Sequence, residues 1–353
     1  MTAYMLLPNM SGGGAERVSV SIARSLKRHG FDVKFICFCG NGGEMEEWIT
    51  PEFEVEYLNC SRTSSALPKL KRYIKSQKDC VLFSSHEHVS IVALLAGKKF
   101  GIPVIVRLPN MPSNKLYKGI TGLKWRIIKQ LNRHLLKRAR AVIAQTDAMR
   151  LEAIDLYRLP AEKVVTINNP VDKDFVTTSA VGIADPLEKG CPRYLSVGNV
   201  VERKGFDTLL EAFDTVRRRQ PDATLTIVGR DTSEYAMKLK SEAGENVSFA
   251  GFEANPYPYM SHCDVFVLSS RMEGFPNVLL EAMCFDKPVA STTCVPIITQ
   301  IVKPGSNGYY CEPNNPDALA RCMTEASRLT GIHNSYDLFD ESRLVELFTK
   351  NAS

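Results

Sequence analysis

Two carboxylates stand eight positions apart in Glu273-Gly-Phe-Pro-Asn-Val-Leu-Leu-Glu281, and the residues between them can start a helix. Pro276 has φ fixed near the helical value and suits a first turn, and Val278, Leu279, Leu280, Ala282 and Met283 continue as an apolar run. Upstream, Asp264-Val-Phe-Val-Leu268 reads as a buried parallel strand. Glu273 is thus expected in a loop at a strand's C-terminal end, and Glu281 over a turn inside the following helix. A helix start offers free N–H groups and the positive end of a dipole, so it can take an anion. A phosphate there, with a carboxylate on either side for hydroxyl groups, would suit a sugar nucleotide. The plain alternative is a strand–loop–helix connection with a capping carboxylate.

Other residues could supply complementary chemistry. Gly198-Asn-Val-Val-Glu-Arg-Lys-Gly205 follows an apolar strand, and Arg203 and Lys204 precede a helix. Two cations at a strand end can neutralise a departing diphosphate, although a solvated charged loop would read the same. Gly12-Gly13-Gly14 lies between the first strand and the first helix, where glycine lets backbone N–H groups approach an anionic ligand. The spacing is not G-x-G-x-x-G, which disfavours a nicotinamide cofactor. His86-Glu87-His88 follows another strand, and one histidine could contact a sugar or move a proton. A third metal ligand is missing there. Asp172-Lys173-Asp174 has the form of a metal–diphosphate pattern, but it follows Asn169-Pro170 and is read as a turn. No metal site and no cofactor are expected.

Strands and helices alternate along the whole chain. Strands are expected at Tyr4–Leu7, Val33–Phe38, Val81–Ser84, Val104–Val106 and Val142–Ala144, with a helix over Val18–His29 ended by Gly30. The pattern restarts at Tyr194–Val197, with strands at Leu225–Val228, Val247–Phe249, Asp264–Leu268 and Pro288–Ala290. Helices are expected over 206–219, 233–243 and 276–284. This is an α/β chain of two doubly wound halves, divided as 1–172, a linker 173–190, 191–340 and a last amphipathic helix in 341–353. A basic helix spans Lys124–Ala139, and its stripe Ile127, Ile128, Leu131, Leu135 and Leu136 is expected to face the core.

The net charge of +5 conceals an asymmetry. Residues 1–172 carry 26 Lys+Arg against 15 Asp+Glu (+11), and residues 173–353 carry 18 against 24 (−6). Between His88 and Thr146 there are twelve Lys or Arg and no Asp or Glu, which implies an anionic partner. Anionic lipid would contribute roughly 1 kcal/mol per basic residue near the surface. Nucleic acid is not expected, since no nucleic-acid motif is present. The ten cysteines show no C-x-x-C pair and no zinc spacing, as expected of reduced thiols in a cytosolic protein. No run of 18 apolar residues occurs, so no transmembrane helix is expected, and the first residues are not expected to act as a secretory signal.

Taken together, these motifs resemble the retaining, nucleotide-sugar-dependent glycosyltransferases of family 4, over essentially the whole chain. Gly12–Arg17 resembles the family's opening glycine loop. Gln145-Thr-Asp-Ala-Met149 and Asn168-Asn-Pro-Val-Asp172 resemble its interdomain markers, and Glu273 to Glu281 its Glu-x7-Glu signature. The resemblance implies the GT-B fold, two Rossmann-like domains facing a central cleft, with the acceptor on the N-terminal domain, the nucleotide sugar on the C-terminal one, and the last helix crossing back to the N-terminal domain. It implies that Glu273 contacts the donor sugar, Glu281 the ribose, and Lys204 the diphosphate, helped by N–H groups around Gly274, Phe275, Pro276, Asn277 and Val278. Gly13, Gly14, Gly198, Asn199, Gly229, Arg230 and Phe252 would complete the donor site. Catalytic roles fall to Glu273, Lys204, Arg203 and His86. Two departures matter. Asn199 stands where the family commonly has arginine, so Arg203 is the substitute cation. Val106-Arg107-Leu108-Pro109-Asn110 stands where a histidine is common, which leaves His86 as the histidine candidate. Arg107 and Asn110 loosely echo a Ser-Glu-Arg-Asn segment of family members acting on bacterial surface polysaccharides.

The expected activity is transfer of a sugar, with retention, from a UDP-sugar to a saccharide, lipid-linked and held at the cytoplasmic face of the membrane. A GT-B-fold sugar-nucleotide epimerase and a non-catalytic basic membrane-binding module are the alternatives.

Overall fold

The computed structural model describes every residue except 41, 114–121, 337 and 350–353; in the helix Gly122–Leu136 the side chains of 122–125 and 127–129 also lie outside the description. The chain forms two compact units, Met1–Pro170 with Leu338–Ser353, and Val171–Asp337.

In the first unit, β1 (Thr2–Leu7), β2 (Asp32–Cys37), β3 (Glu54–Tyr57), β4 (Cys80–Ser84), β5 (Val104–Arg107), β6 (Ala141–Ala144) and β7 (Val164–Thr166) form one sheet in the order β3-β2-β1-β4-β5-β6-β7. Every pairing is parallel; Tyr4, for example, stands beside Lys34 on one side and Leu82 on the other. Successive side chains of a strand point to opposite faces. Tyr4 and Leu6 therefore enter one hydrophobic layer, and Met5 and Leu7 the other. Both faces are covered, which is why these strands read as unbroken apolar runs. The last helix, Glu341–Thr349, closes the second layer. Phe348 meets the rings of Phe31 and Phe83 at 6.0 and 5.9 Å, and Glu341 accepts hydrogen bonds from Ser25 Oγ (2.6 Å) and Arg28 (2.9 Å).

In the second unit, β8 (Arg193–Val197), β9 (Thr224–Val228), β10 (Val247–Gly251), β11 (Val265–Leu268), β12 (Val289–Thr292) and β13 (Gly308–Cys311) repeat the winding in the order β10-β9-β8-β11-β12-β13, again all parallel. Each sheet reverses direction between its central strands, β1 and β4 or β8 and β11. Loops leaving the C-terminal ends at such a switch point form the ligand-binding crevice of doubly wound sheets.

Two expectations change. The segment after Asn169-Pro170 is not a turn into a bare linker: Asp172 accepts a hydrogen bond from Phe175 N (3.1 Å) and caps a short helix, Lys173–Thr178. That helix is held by Val176, which is buried, and by the Phe175 ring edge-on to Tyr257. In the basic helix, Leu135 and Leu136 enter the core as expected, but Leu131 is 43% exposed. Ile127 and Ile128 lie outside the described side chains.

Candidate active site

Glu273 is the centre of the second unit's switch point. β11 ends at Leu268, and Ser269, Ser270 and Arg271 lead to Glu273, which is 8% exposed. Its Oε1 accepts from Lys204 Nζ (2.6 Å) and Ser270 Oγ (2.7 Å), and its Oε2 accepts from Arg203 Nη1 (3.2 Å). Burial pushes this carboxyl up, but the two cations and the serine hydroxyl outweigh it and hold it below the ordinary carboxylate value. The Lys204 side chain is nearly buried, whereas that of Arg203 is about half exposed. The pair therefore presents one cation packed against the carboxylate and one that also faces solvent.

The turn Glu202–Lys204 that carries both cations is bolted to the Glu273 loop. Ser269 Oγ donates to Lys204 O (2.9 Å), and Arg271 N donates to Arg203 O (2.8 Å). The Arg271 guanidinium reaches Glu202 O, Asp207 (2.6 Å) and Asn314 (2.6 Å). Gly205 ends the turn at φ +64, where a Cβ would lie 2.2 Å from Ser269 O, so only glycine fits. Gly198 (φ +155) lies under the Lys204 side chain, and a Cβ there would stand 3.2 Å from Lys204 Cε. None of Ser269, Ser270, Arg271 or Asp207 was singled out from sequence. Ser and Asp after a strand are common in loops and carry no distinguishing pattern.

The remaining expected donor residues lie along the same strand ends. Gly198 N donates to Val228 O (2.8 Å), Gly229 N donates to Gly251 O (2.7 Å), and Asn199 is exposed. Arg230 stacks its guanidinium 4.2 Å from the centre of the Phe252 ring, a flat surface of the kind that meets a base. Glu281 is buried in the helix Asn277–Met283, which begins after Pro276. Asn277 N donates to Phe275 O (3.0 Å) and Leu279 N to Pro276 O (3.1 Å), so part of the helix start is already satisfied. Two thiols border the carboxylates. Burial first, then Glu281, push Cys284 up to about 12; burial first, then Glu273, do the same to Cys294. Neither is a thiolate nucleophile at neutral pH.

The first unit's switch point holds a different pair. Glu16, in the first turn of the helix Gly14–Arg28, accepts or shares a proton with His86 Nε2 at 3.0 Å; His86 precedes the helix Glu87–Phe100. The Glu16 carboxylate folds back over Gly13, where a Cβ would lie 2.3 Å from Glu16 Oε2. The carboxylate thus lies beside the helix start that carries Gly13 and Gly14. His86 is 14% exposed at its side chain, and His88 has a lowered pKa, through burial first and then the neighbouring His86. Among the described residues there is no group of three or more His, Cys, Asp or Glu that could hold a metal ion.

The chain is similar to known proteins over most of its length. The model described as Glycosyltransferase Family 4 matches residues 12–175, and that described as Glycosyl transferases group 1 matches 184–336. A glycosyltransferase of Haemophilus influenzae without an assigned activity is 27% identical, over 88% of this chain and 86% of its own. The lipopolysaccharide core biosynthesis glycosyltransferase LpsE of Rhizobium meliloti is 26% identical, over 89% and 85%. An N-acetylgalactosaminyltransferase of Campylobacter jejuni, named for a diphospho-undecaprenol-linked acceptor, is 24% identical, over 80% and 78%. Among solved structures, HepE of Anabaena in complex with UDP and glucose superposes with a TM-score of 0.76 at 19% identity, covering 99% of this chain and 98% of its own, which shows a shared fold. The two parallel sheets and these neighbours define a GT-B fold. The chain belongs to the GT-B glycosyltransferases of the family 4 type. Its homologues include enzymes of bacterial polysaccharide synthesis.

Proposed function

We propose that this glycosyltransferase moves a sugar, with retention, from a UDP-sugar to the hydroxyl of a lipid-linked saccharide at the inner face of the cell membrane. The observation that carries the reading is the buried Glu273 carboxylate held by Lys204 and Arg203 at the switch point of the second sheet. Lysine has three N–H donors and arginine five, so both cations keep donors for a diphosphate while holding Glu273.

In the reaction proposed, the bond between the sugar's anomeric carbon and the donor phosphate breaks, and the acceptor oxygen bonds that carbon from the same face. The acceptor proton passes to the leaving phosphate, and Lys204 and Arg203 stabilise the charge that builds on the diphosphate. Glu273 accepts hydroxyls of the donor sugar, Glu281 those of the ribose, and the Arg230–Phe252 stack meets the base. Arg203 takes the place of the arginine replaced by Asn199, and charge neutralisation falls to these side chains, with no metal called for. Gly13 and Gly14 belong to the donor site, and Gly13 also leaves room for the Glu16 carboxylate, which orients His86. UDP as the donor nucleotide is supported by the HepE likeness, and a lipid-linked acceptor by the Campylobacter relative. The acid-free stretch 88–146 supports contact with an anionic membrane.

The test is nucleotide release from UDP- and GDP-sugars, with and without lipid-extract acceptors, followed by determination of the product's anomeric configuration. Acceptor-dependent UDP release with retention is expected. Release that ignores the acceptor, or recovery of an epimerised donor, overturns the reading.

A further inference from the structure

Arg107 ends β5 and is 2% exposed. Its Nε and Nη2 both donate to Asn169 Oδ1, at 3.1 and 2.5 Å. Asn169 Nδ2 donates to Gln145 Oε1 (3.0 Å), and Gln145 Nε2 donates to Leu108 O (2.5 Å). The network is therefore made of neutral amides. Nη1 is shielded from solvent and has no partner among the described residues. Burial alone pushes this guanidinium down to about 9, with no carboxylate opposing it. Burying an uncompensated charge is costly, and one bare edge adds the cost of an unmade hydrogen bond.

The same arginine lines a cavity of about 330 Å³ inside the first unit. The other walls are mainly apolar: Ile91, Leu94, Leu108, Met111, Leu135 and Leu136 contribute to it. The acidic member of the wall, Glu87, accepts from Asn132 Nδ2 at 2.5 Å. A pocket of this size is at the low end of small-molecule sites, roughly 300–1,000 Å³. An apolar chamber with a buried, underpartnered guanidinium in its wall is complementary to a molecule with an anionic head and a hydrocarbon body.

We infer that this cavity binds the lipid phosphate portion of the acceptor, with the phosphate on the bare edge of Arg107 and the first hydrocarbon units against the apolar wall. The inference rests on the lipid-linked acceptor proposed above and assigns it a place. Asn169 and Gln145 are positioning residues: they fix the guanidinium plane through Nε and Nη2 and leave Nη1, buried in the cavity wall, without a hydrogen-bond partner among the described residues.

The experiment is isothermal titration of the full chain, without any nucleotide sugar, using farnesyl phosphate below its micellar concentration, farnesol, and inorganic phosphate. Farnesyl phosphate is expected to bind at least about tenfold more tightly than either fragment, the difference one charge-assisted hydrogen bond can supply. Arg107→Met should lose about that factor, and Leu131→Trp, which fills the cavity from its exposed wall, should lose as much. UDP binding should be retained in both. If Arg107→Met fails to fold, the Leu131→Trp result decides alone. Equal affinity for farnesol and farnesyl phosphate, or binding unchanged by the folded variants, overturns the inference. A guanidinium that merely organises Asn169 and Gln145 and is met by water gives that second result. No sugar transfer is needed for this readout, so a wrong donor or reaction type leaves it interpretable. Transfer to a lipid-free saccharide without farnesyl phosphate binding would sink this inference alone.

Discussion

Both sheets wind in the same order, and at each reversal a carboxylate bridges the loops after the two central strands. In the first unit the carboxylate comes from the β1 side and meets a histidine after β4, as Glu16 and His86. In the second the order is exchanged: the cations follow β8, and Glu273 follows β11. The consequences differ. Glu16 brings a negative charge beside its own helix start and pairs there with His86. Glu273 is held by two cations that have donors to spare, so that end is positively charged despite its buried carboxylate. One fold thus supplies a switch point bearing a carboxylate–histidine pair and a switch point bearing two cations around a carboxylate.

Substitutions at the two carboxylates break this comparison most sharply. Glu273→Ala should lower kcat/KM by roughly 10²–10³, the loss typical of removing one transition-state contact. Glu16→Ala should lower it by less than about tenfold, acting through the orientation of His86. Steady-state kinetics of the two variants checks this, and equal losses would remove the distinction between the sites. A smaller effect is expected in acid. The Glu273 carboxyl is held below its ordinary value of 4.5, so the folded state binds fewer protons there than the unfolded state. Its contribution to stability is complete above that ordinary value and is lost as pH falls through the depressed one. Melting temperature against pH should therefore fall less steeply below about pH 4 in Glu273→Gln than in the parent chain. Parallel curves would mean that the cations do not stabilise the folded carboxylate.

Much of this architecture was legible in the sequence because central strands buried on both faces are continuous apolar runs. The strands that escaped notice, β3, β7 and β13, are all sheet edges. Glu54-Val-Glu-Tyr57 alternates charge with apolar residues, and Gly308-Tyr-Tyr-Cys311 is only partly buried, so neither carries a core signal. At the site, Glu273, Lys204 and Arg203 were legible by type and by place after strands. Their attachment to Ser269, Ser270, Arg271 and Asp207 was not, because residues up to 70 positions apart meet there only through strand order. Glu16 lies in the glycine-loop motif Gly12–Arg17, but its fold-back over Gly13 depends on the helix start, which lies four residues earlier than the apolar periodicity from Val18 indicates. Arg107 was visible as a motif echo, while its lack of an anionic partner required the packed surroundings.

The most direct test of the central claim, that Lys204 and Glu273 form the diphosphate end of the donor site, is the affinity of UDP relative to uridine in the parent chain and in Lys204→Met. The parent should prefer UDP, and the variant should lose roughly tenfold or more of that preference while uridine binding is unchanged. A preference for UDP that survives the loss of Lys204 would contradict the assignment.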